Sequence, residues 1–390
     1  MKSLSIFHHR KFAYSSLFII AFVFLLVNIR QFLIIDYGYW IKQTFDYTQI
    51  IKSGNYFPDF MLSHPAVTVI NLGSFSFLIK NIFQPLVFDH ESLMFAYKLP
   101  FILVYSFFTP YLYFLLKKTG FATALSYLAA LLFSMNFIIW EINAADLLYS
   151  IFFVSAFFNF FIYLKLADKG HIYFFLSAIF AALSILSRFS GALLIVIIPA
   201  LMLYYRKNLC FSPKKYINKI FLWFLLLLIS LFILRPQFLF KNQIAPAAKA
   251  NIDTLTLMNS NLSNGNSLYE QRIIDTLIDL PLLQILFISC FVLFLATNFL
   301  KQEKNRKLII IILLVSLLVF FSSLVVDKSI WSYRYALPSF LLLDIIVAYE
   351  ITRQFSFILS VKKYRNLSPF YALFIVTLFI YEYYFYSHLY

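Results

Sequence analysis

The chain has 390 residues, of which 62% are hydrophobic, 21% aromatic and only 13% charged, with a mean hydropathy of +0.83. Soluble domains carry charge on roughly one quarter of their residues, so this composition excludes a soluble protein and specifies a polytopic membrane protein. The net charge of +15 would suit a nucleic-acid partner, but the basic residues sit in short loops between apolar runs, which assigns them to membrane topology.

In chain order, Met1 to Lys11 is basic. The apolar run 12–35 that follows is too long for a signal-peptide core and no small-x-small cleavage site follows it, so it reads as a retained first span. Asp36 stands at its end, followed by Tyr37, Tyr39 and Trp40. An acid there can simply stop the helix among the headgroups, with the aromatic residues as an interfacial belt. A first outer loop is expected over 36–98, containing His64-Pro65 and the apolar stretch 66–83, AVTVINLGSFSFLIKNIF. Further windows long enough to cross a bilayer lie near 99–116, 121–140, 147–164, 217–234, 280–300, 308–326, 335–350 and 369–387. The segment 171–205 is too long for one ordinary span and breaks at Ser187-Arg188-Phe189-Ser190-Gly191, which predicts two short helices over 171–186 and 191–205. The expectation is an all-α polytopic membrane protein with about 11 transmembrane helices in one domain, and a second outer loop over 235–279.

The stretch 66–83 could just span, and the positive-inside rule decides against it. With a cytoplasmic N-terminus and 66–83 lying flat as an interfacial helix, Lys117, Lys118, Lys165, Lys169, the 206–219 and 301–307 clusters and those of 353–365 all fall inside. If 66–83 crossed, every later loop would flip and nearly all of these would face outward. Cys210 falls in an inner loop and Cys290 inside a span, so no disulfide is expected. With 7 glycines there is no phosphate-cradling loop, and no zinc or iron ligand spacing occurs.

The polar residues near the outer side are few. Arg188 lies in the turn between two helices each too short for a bilayer core of about 30 Å, so the turn is expected below the outer surface. A charge held at that depth is a functional candidate, the alternative being an arginine that snorkels to the headgroups. Glu141 and Asp146 fall in the short loop before the fourth span, where they could bind an acceptor or a divalent metal, or cap the helix that follows. Lys328, Arg334 and Tyr335 stand at the mouth of a late span, suited to phosphate binding or to anchoring that helix. Asp344 and Glu350 fall within the span 335–350 with no evident partner.

Several stretches in this order resemble the GT-C superfamily of integral-membrane glycosyltransferases, which includes protein O-mannosyltransferases and lipid A aminoarabinose transferases. They are Asp36 just past the first span, Ser53-Gly54-Asn55, His64-Pro65-Ala66-Val67-Thr68 before a juxtamembrane helix, the helix pair 183–201 around Arg188, and the stretch 331–340, WSYRYALPSF. The family usually carries Asp-Glu at the first site, where this chain has Asp36-Tyr37. The resemblance implies an inverting transferase that moves a hexosyl or pentosyl group from a polyprenyl-phosphate donor to an envelope glycan, lipid or protein. Asp36 would be the catalytic base, and His64, Arg188, Lys328, Arg334 and Tyr335 would bind substrate. Family members differ in their requirement for Mg or Mn, so the metal is open. Short loops without an appended domain point to the bacterial cytoplasmic membrane, the site is expected to face outward, and the placement of the basic residues points to lipids rather than nucleic acid as partners. Two other classes compete: a lipid or sugar transporter, which calls for internal repeats and mid-bilayer polar groups, and a polysaccharide polymerase or ligase, which calls for a large, basic late outer loop.

Overall fold

The structure is a computed structural model that describes residues 2–30, 32–33, 37–54, 67–85, 87–136, 143–166, 170–205, 213–234, 306–326, 337–361 and 364–389. Among these residues it is all-helical, with 12 α-helices and no strand. They are α1 (Lys2–Val27), α2 (Tyr37–Lys52), α3 (Val67–Phe83), α4 (His90–Thr119), α5 (Thr123–Ser134), α6 (Ala144–Leu166), α7 (His171–Ser187), α8 (Leu194–Tyr204), α9 (Pro213–Leu234), α10 (Arg306–Val326), α11 (Leu337–Ser360) and α12 (Ser368–Leu389). A 3-10 turn, Phe189–Leu193, joins α7 to α8. The expected span 280–300 and the second outer loop lie outside the described residues, as do Cys210 and Cys290.

Three helices, over 91–119, 144–166 and 214–234, are long and apolar enough to cross a bilayer; several shorter apolar helices accompany them. Two boundaries differ from the sequence reading. The helix expected over 12–35 begins at Lys2 and ends at Val27, although the apolar run continues. Asn28 turns its amide back to the Phe24 carbonyl at 2.8 Å, and Leu33 adopts a left-handed φ of 53°. Hydropathy reports which residues can lie in lipid, whereas the helix end is set by where the backbone carbonyls find other partners. The expected span 121–140 is helical only over α5, 12 residues. At its other end α4 stops where sequence chemistry says it should, at Gly120, whose φ of 101° forms a left-handed cap.

The core is organised around α6. Its sequence is apolar on every side, which in a bundle specifies a helix with neighbours all round, and 94% of its most apolar stretch is buried. Helix α9 is similarly apolar but only 11% of that stretch is buried, so it meets the described bundle along one narrow face, where Trp223 and Leu227 are buried. Ring pairs set the register. Phe152 meets Phe180 and Phe160 meets Phe174, so α6 and α7 run antiparallel. Tyr14 meets Tyr113 and Phe18 meets Phe107, so α1 and α4 also run antiparallel. Asn159 donates to the Tyr111 hydroxyl at 2.8 Å and Lys165 to the Thr119 carbonyl at 3.1 Å, which makes α4 and α6 parallel.

These registers sort the chain into two ends. One end holds the termination of α1, the start of α4, the end of α5, the start of α6 and the end of α7. The other holds Lys117, Lys118 and Lys165 together with the lysines that open α9, where Lys219 lies 5.9 Å and 5.8 Å from the ring centres of Tyr163 and Phe174. Since α1 ends and α4 begins at the same end, a single crossing between them, such as α3 alone would make, is excluded. Helix α3 meets only the first turns of α4, with Ser76 donating to the Ala96 carbonyl at 2.5 Å. It lies against α2, where Lys52 donates to Asn81 at 3.1 Å and a Cβ on Gly73 would come 2.8 Å from Thr44.

Candidate functional site

The polar residues of interest gather where α6 begins and α7 ends. Asn143 precedes α6 and its Oδ1 accepts the backbone N–H of Asp146 at 3.0 Å, the hydrogen bond of a helix N-cap. Asp146 is therefore not the loop residue expected from sequence: it sits in the first turn of α6, and the cap is Asn143. Its carboxylate is fully buried and meets the Arg188 Nε at 2.7 Å, while Arg188 keeps 12% exposure. The pair continues the register of the ring contacts between the same helices, with Ser184 donating to the Tyr149 carbonyl at 3.2 Å one turn away. Register thus delivers an acid and a base, 42 positions apart in sequence, to the same height in the bundle.

Arg188 owes its position to the break between α7 and α8. Its backbone is extended, with φ −154° and ψ 141°, while its N–H still closes onto the Ser184 carbonyl at 2.9 Å. Gly191 then donates to the Arg188 carbonyl at 3.0 Å. A Cβ on Gly191 would lie 2.6 Å from the Ile185 nitrogen and from the Ser184 carbonyl carbon, so the turn closes this tightly only with glycine there. The helix on the near side, α7, is 17 residues, about 25 Å at 1.5 Å per residue, short of a full core.

The neighbouring residue draws in the first loop. The Ser187 and Thr68 hydroxyls are 2.8 Å apart, and Thr68 is the last residue of the His64-Pro65-Ala66-Val67-Thr68 stretch. The structure therefore places the start of α3 one residue from Arg188. A second polar pair stands where α5 ends: the Asn136 amide donates to Asp344 on α11 at 2.9 Å, both side chains being buried. Glu350, on the same helix, is buried and engaged by Arg353 and Gln354 at 2.9 Å each.

No protein-family model matches the sequence, and no curated protein matches it. Solved structures do. The archaeal oligosaccharyltransferase AglB from Archaeoglobus fulgidus, in complex with an inhibitory peptide and a dolichol-phosphate, aligns over 97% of this chain with a TM-score of 0.59 at 15% identity. The Archaeoglobus fulgidus oligosaccharyltransferase tethered by a disulfide to an acceptor peptide containing the NVT sequon aligns over 96% with a TM-score of 0.56 at 14% identity. The fold is a GT-C fold. The chain spans about half the length of these neighbours, 55% and 54% respectively.

Within this GT-C fold the described residues place Arg188, Asp146 and Thr68 in one cluster. Asp36, His64, Glu141, Lys328, Arg334 and Tyr335 lie outside the described residues. Asp36 is bracketed in the chain by Leu33, six residues past the end of α1, and Tyr37 at the start of α2. No three His, Cys, Asp or Glu side chains among the described residues converge as metal ligands, and the Asp146 carboxylate already faces a guanidinium. The described residues of the GT-C fold therefore do not assemble a metal site by themselves. Sequence reading did not single out Asn143, Ser187 or Asn136, which are short polar residues common at helix ends; nor did it single out Thr68, although the stretch containing it stood out. The signal for Ser187 was its place beside the predicted break, and Asn136 had none.

Proposed function

We propose that the chain is an inverting membrane glycosyltransferase that moves a sugar from a polyprenyl-phosphate donor to an acceptor hydroxyl. The observation that carries this reading is the Asp146–Arg188 pair at the α6–α7 end, with α3 docked beside it through Thr68 and Ser187, on a GT-C fold. A guanidinium kept beside a buried carboxylate stays charged and close to the end of the bundle, and its N–H fork suits recognition of a phosphate. Its burial strengthens that interaction relative to water.

In the proposed reaction the acceptor oxygen attacks the anomeric carbon as the bond from that carbon to the phosphate oxygen breaks. The electron pair leaves with polyprenyl phosphate, whose developing charge faces Arg188, and Arg334 and Lys328, which precede α11 in the sequence, would assist. Asp36 takes the acceptor proton. One displacement inverts the anomeric configuration without a covalent intermediate. A partly dehydrated carboxylate at the membrane surface is a better base than one in water. The donor arrives on a lipid because its tail can stay in the bilayer beside helices such as α9 and α1. The acceptor would be an envelope glycan, lipid or protein, and the sugar a hexose or pentose. The reaction would face the outer side of the cytoplasmic membrane of a bacterium, with His64 and Tyr335 lining the substrate site and Glu141 contributing to the acceptor or to a divalent metal.

The experiment is release of free polyprenyl phosphate from a panel of lipid-linked sugars by purified wild type, Asp36→Asn and Arg188→Gln, with Mg, with Mn and with a chelator. Release by wild type that Asp36→Asn loses by ~10²-fold or more is expected for a general base. Arg188→Gln is expected to weaken donor binding and slow release together. No release from any donor, or equal release by Asp36→Asn, would overturn the assignment, and a donor bound but unreacted would point to transport instead.

A further inference from the structure

A groove of about 600 Å³ runs between α1 and α4, in the size range of a small-molecule site. On α4 its wall is Phe107, Pro110 and Phe114, three and four positions apart and so on one face of the helix. On α1 the wall is Tyr14, Ser15 and Phe18. Aromatic contacts at two heights hold the helices apart. Phe18 meets Phe107 with ring centres 4.8 Å apart, and Tyr14 meets Tyr113 at 5.3 Å. Ser15 and Pro110 stand between those heights, and their small side chains leave the gap unfilled.

Cations stand at one end of this groove. Lys118 is exposed, and its ammonium lies 5.7 Å from the centre of the Phe114 ring that forms the wall. Lys11, also exposed, precedes Tyr14 by three positions and Ser15 by four, which puts it one turn further along the same face of α1. Their neighbours are engaged with the protein: Lys117 donates to the Thr123 hydroxyl at 2.7 Å and Lys165 to the Thr119 carbonyl at 3.1 Å. None of the described residues that line the groove is an acid.

This is the end of the bundle away from Arg188. From Phe107 to Lys118 is eleven residues, about 16 Å along α4, close to half of a bilayer core of about 30 Å. The groove is therefore one leaflet deep, with cations at headgroup level and apolar walls where an acyl chain runs. A polyprenyl-phosphate donor would bring its phosphate to Arg188, at the opposite end, and could not present that charge to these lysines.

We infer that the α1–α4 groove binds an anionic phospholipid, with an acyl chain along Phe18, Phe107 and Phe114 and the phosphate at Lys118 and Lys11. Basic pockets beside spanning helices on the cytoplasmic side recognise such headgroups, and the positive-inside rule assigns this end to that side. The site is independent of the proposed transfer chemistry.

The probes are phosphatidylglycerol and phosphatidylcholine with the same photoactivatable group in an acyl chain. Each is added as a minor component to phosphatidylcholine vesicles that hold the full-length chain, and the cross-linked residues are read by mass spectrometry. Phosphatidylglycerol is expected to label 14–19 and 107–114 at least fivefold more than phosphatidylcholine does, whereas the exposed face of α9 at Leu225 and Leu228 shows no such preference. Lys11→Gln combined with Lys118→Gln, both at exposed positions, is expected to bring the preference below twofold with labelling of α9 unchanged. Ser15→Phe, which fills the gap, is expected to reduce labelling of the groove by both lipids. If Ser15→Phe does not fold, the lysine variant decides. Equal labelling by the two lipids overturns the inference, as does a preference that survives loss of both lysines, or a groove that neither lipid labels. Stronger labelling by polyprenyl phosphate carrying the same group, unaffected by the lysine substitutions, would assign the groove to the donor's tail and overturn it as well.

Discussion

Asp146 and Arg188 each represent a charge removed from water, and each is tolerable only because of the other. Removing a charge partner from a buried pair leaves an uncompensated ion, which costs ~3–5 kcal/mol, more than the pair itself contributes. Asp146→Ala is therefore expected to lower the melting temperature in detergent more than Asp146→Ala combined with Arg188→Met. A thermal double-mutant cycle checks this: a coupling of ~1–3 kcal/mol is expected for groups in contact, and additive single effects would show that the contact carries no energy. The same pair separates stability from function. The double variant should fold better than Asp146→Ala and still fail to release polyprenyl phosphate, because the phosphate ligand has gone. At this scale only part of the site was legible. Arg188 could be picked out because it interrupts a long apolar run, and an isolated cation in such a run is expensive wherever it lies. Asp146 reads in the sequence as a loop residue or a helix cap, since its burial follows from a partner on another helix.

The break between α7 and α8 is an element-scale device. A continuous helix through 171–205 would carry Arg188 on its side, whereas the extended residue and 3-10 turn swing it toward the start of α6. Gly191 is what lets the turn close, because the atoms that its Cβ would meet are backbone atoms of α7 and cannot rotate away. Gly191→Ala is expected to cost ~1–3 kcal/mol, as overpacking does in a filled interior, and to reduce transfer as much as Arg188→Gln does. Gly54→Ala gives the comparison. Its φ of 88° strains any L side chain but no atom lies near it, so it should cost ~1 kcal/mol in stability and leave transfer intact. Thermal unfolding with the release assay on both variants measures this, and a Gly191→Ala protein with wild-type activity would remove the turn from the site's construction. The break was readable in the sequence, because a Ser-Arg-Phe-Ser-Gly run inside apolar residues has no other economical explanation. The early end of α1 was not, because the apolar run continues to Ile35 and the group that meets the chain beyond Val27, Lys98 on the Ile29 carbonyl, comes from another helix.

For the whole molecule, the directions of the helices make a prediction that does not depend on any activity. Lys118 lies at the end of the bundle away from Arg188, and with 66–83 lying flat on the membrane Ser53, after α2, would face the side that carries Arg188. In sealed vesicles of one orientation, an impermeant thiol reagent should reach Ser53→Cys or Lys118→Cys but not both, in a chain lacking Cys210 and Cys290. If 66–83 crossed the bilayer, the two positions would share a side and label together. A GT-C fold found at 15% identity shows how weakly such an architecture constrains individual residues: an apolar helix of the right length and direction satisfies the bilayer whatever its composition in detail.

Composition and periodicity alone determined that this chain is a helical membrane protein, where its main apolar segments lie and that one of them is broken at Arg188. Each of these is a property of a segment or of its flanking charge, summed locally against the cost of moving it between water and lipid. Only the tertiary structure decided that Asp146 faces Arg188, that Thr68 docks on Ser187, that Asn136 holds Asp344 and that Lys98 donates to the Ile29 carbonyl. These contacts depend on the rotation and register of one helix against another. A helix apolar on every side, like α6, carries no stripe in its sequence to announce which face meets which neighbour.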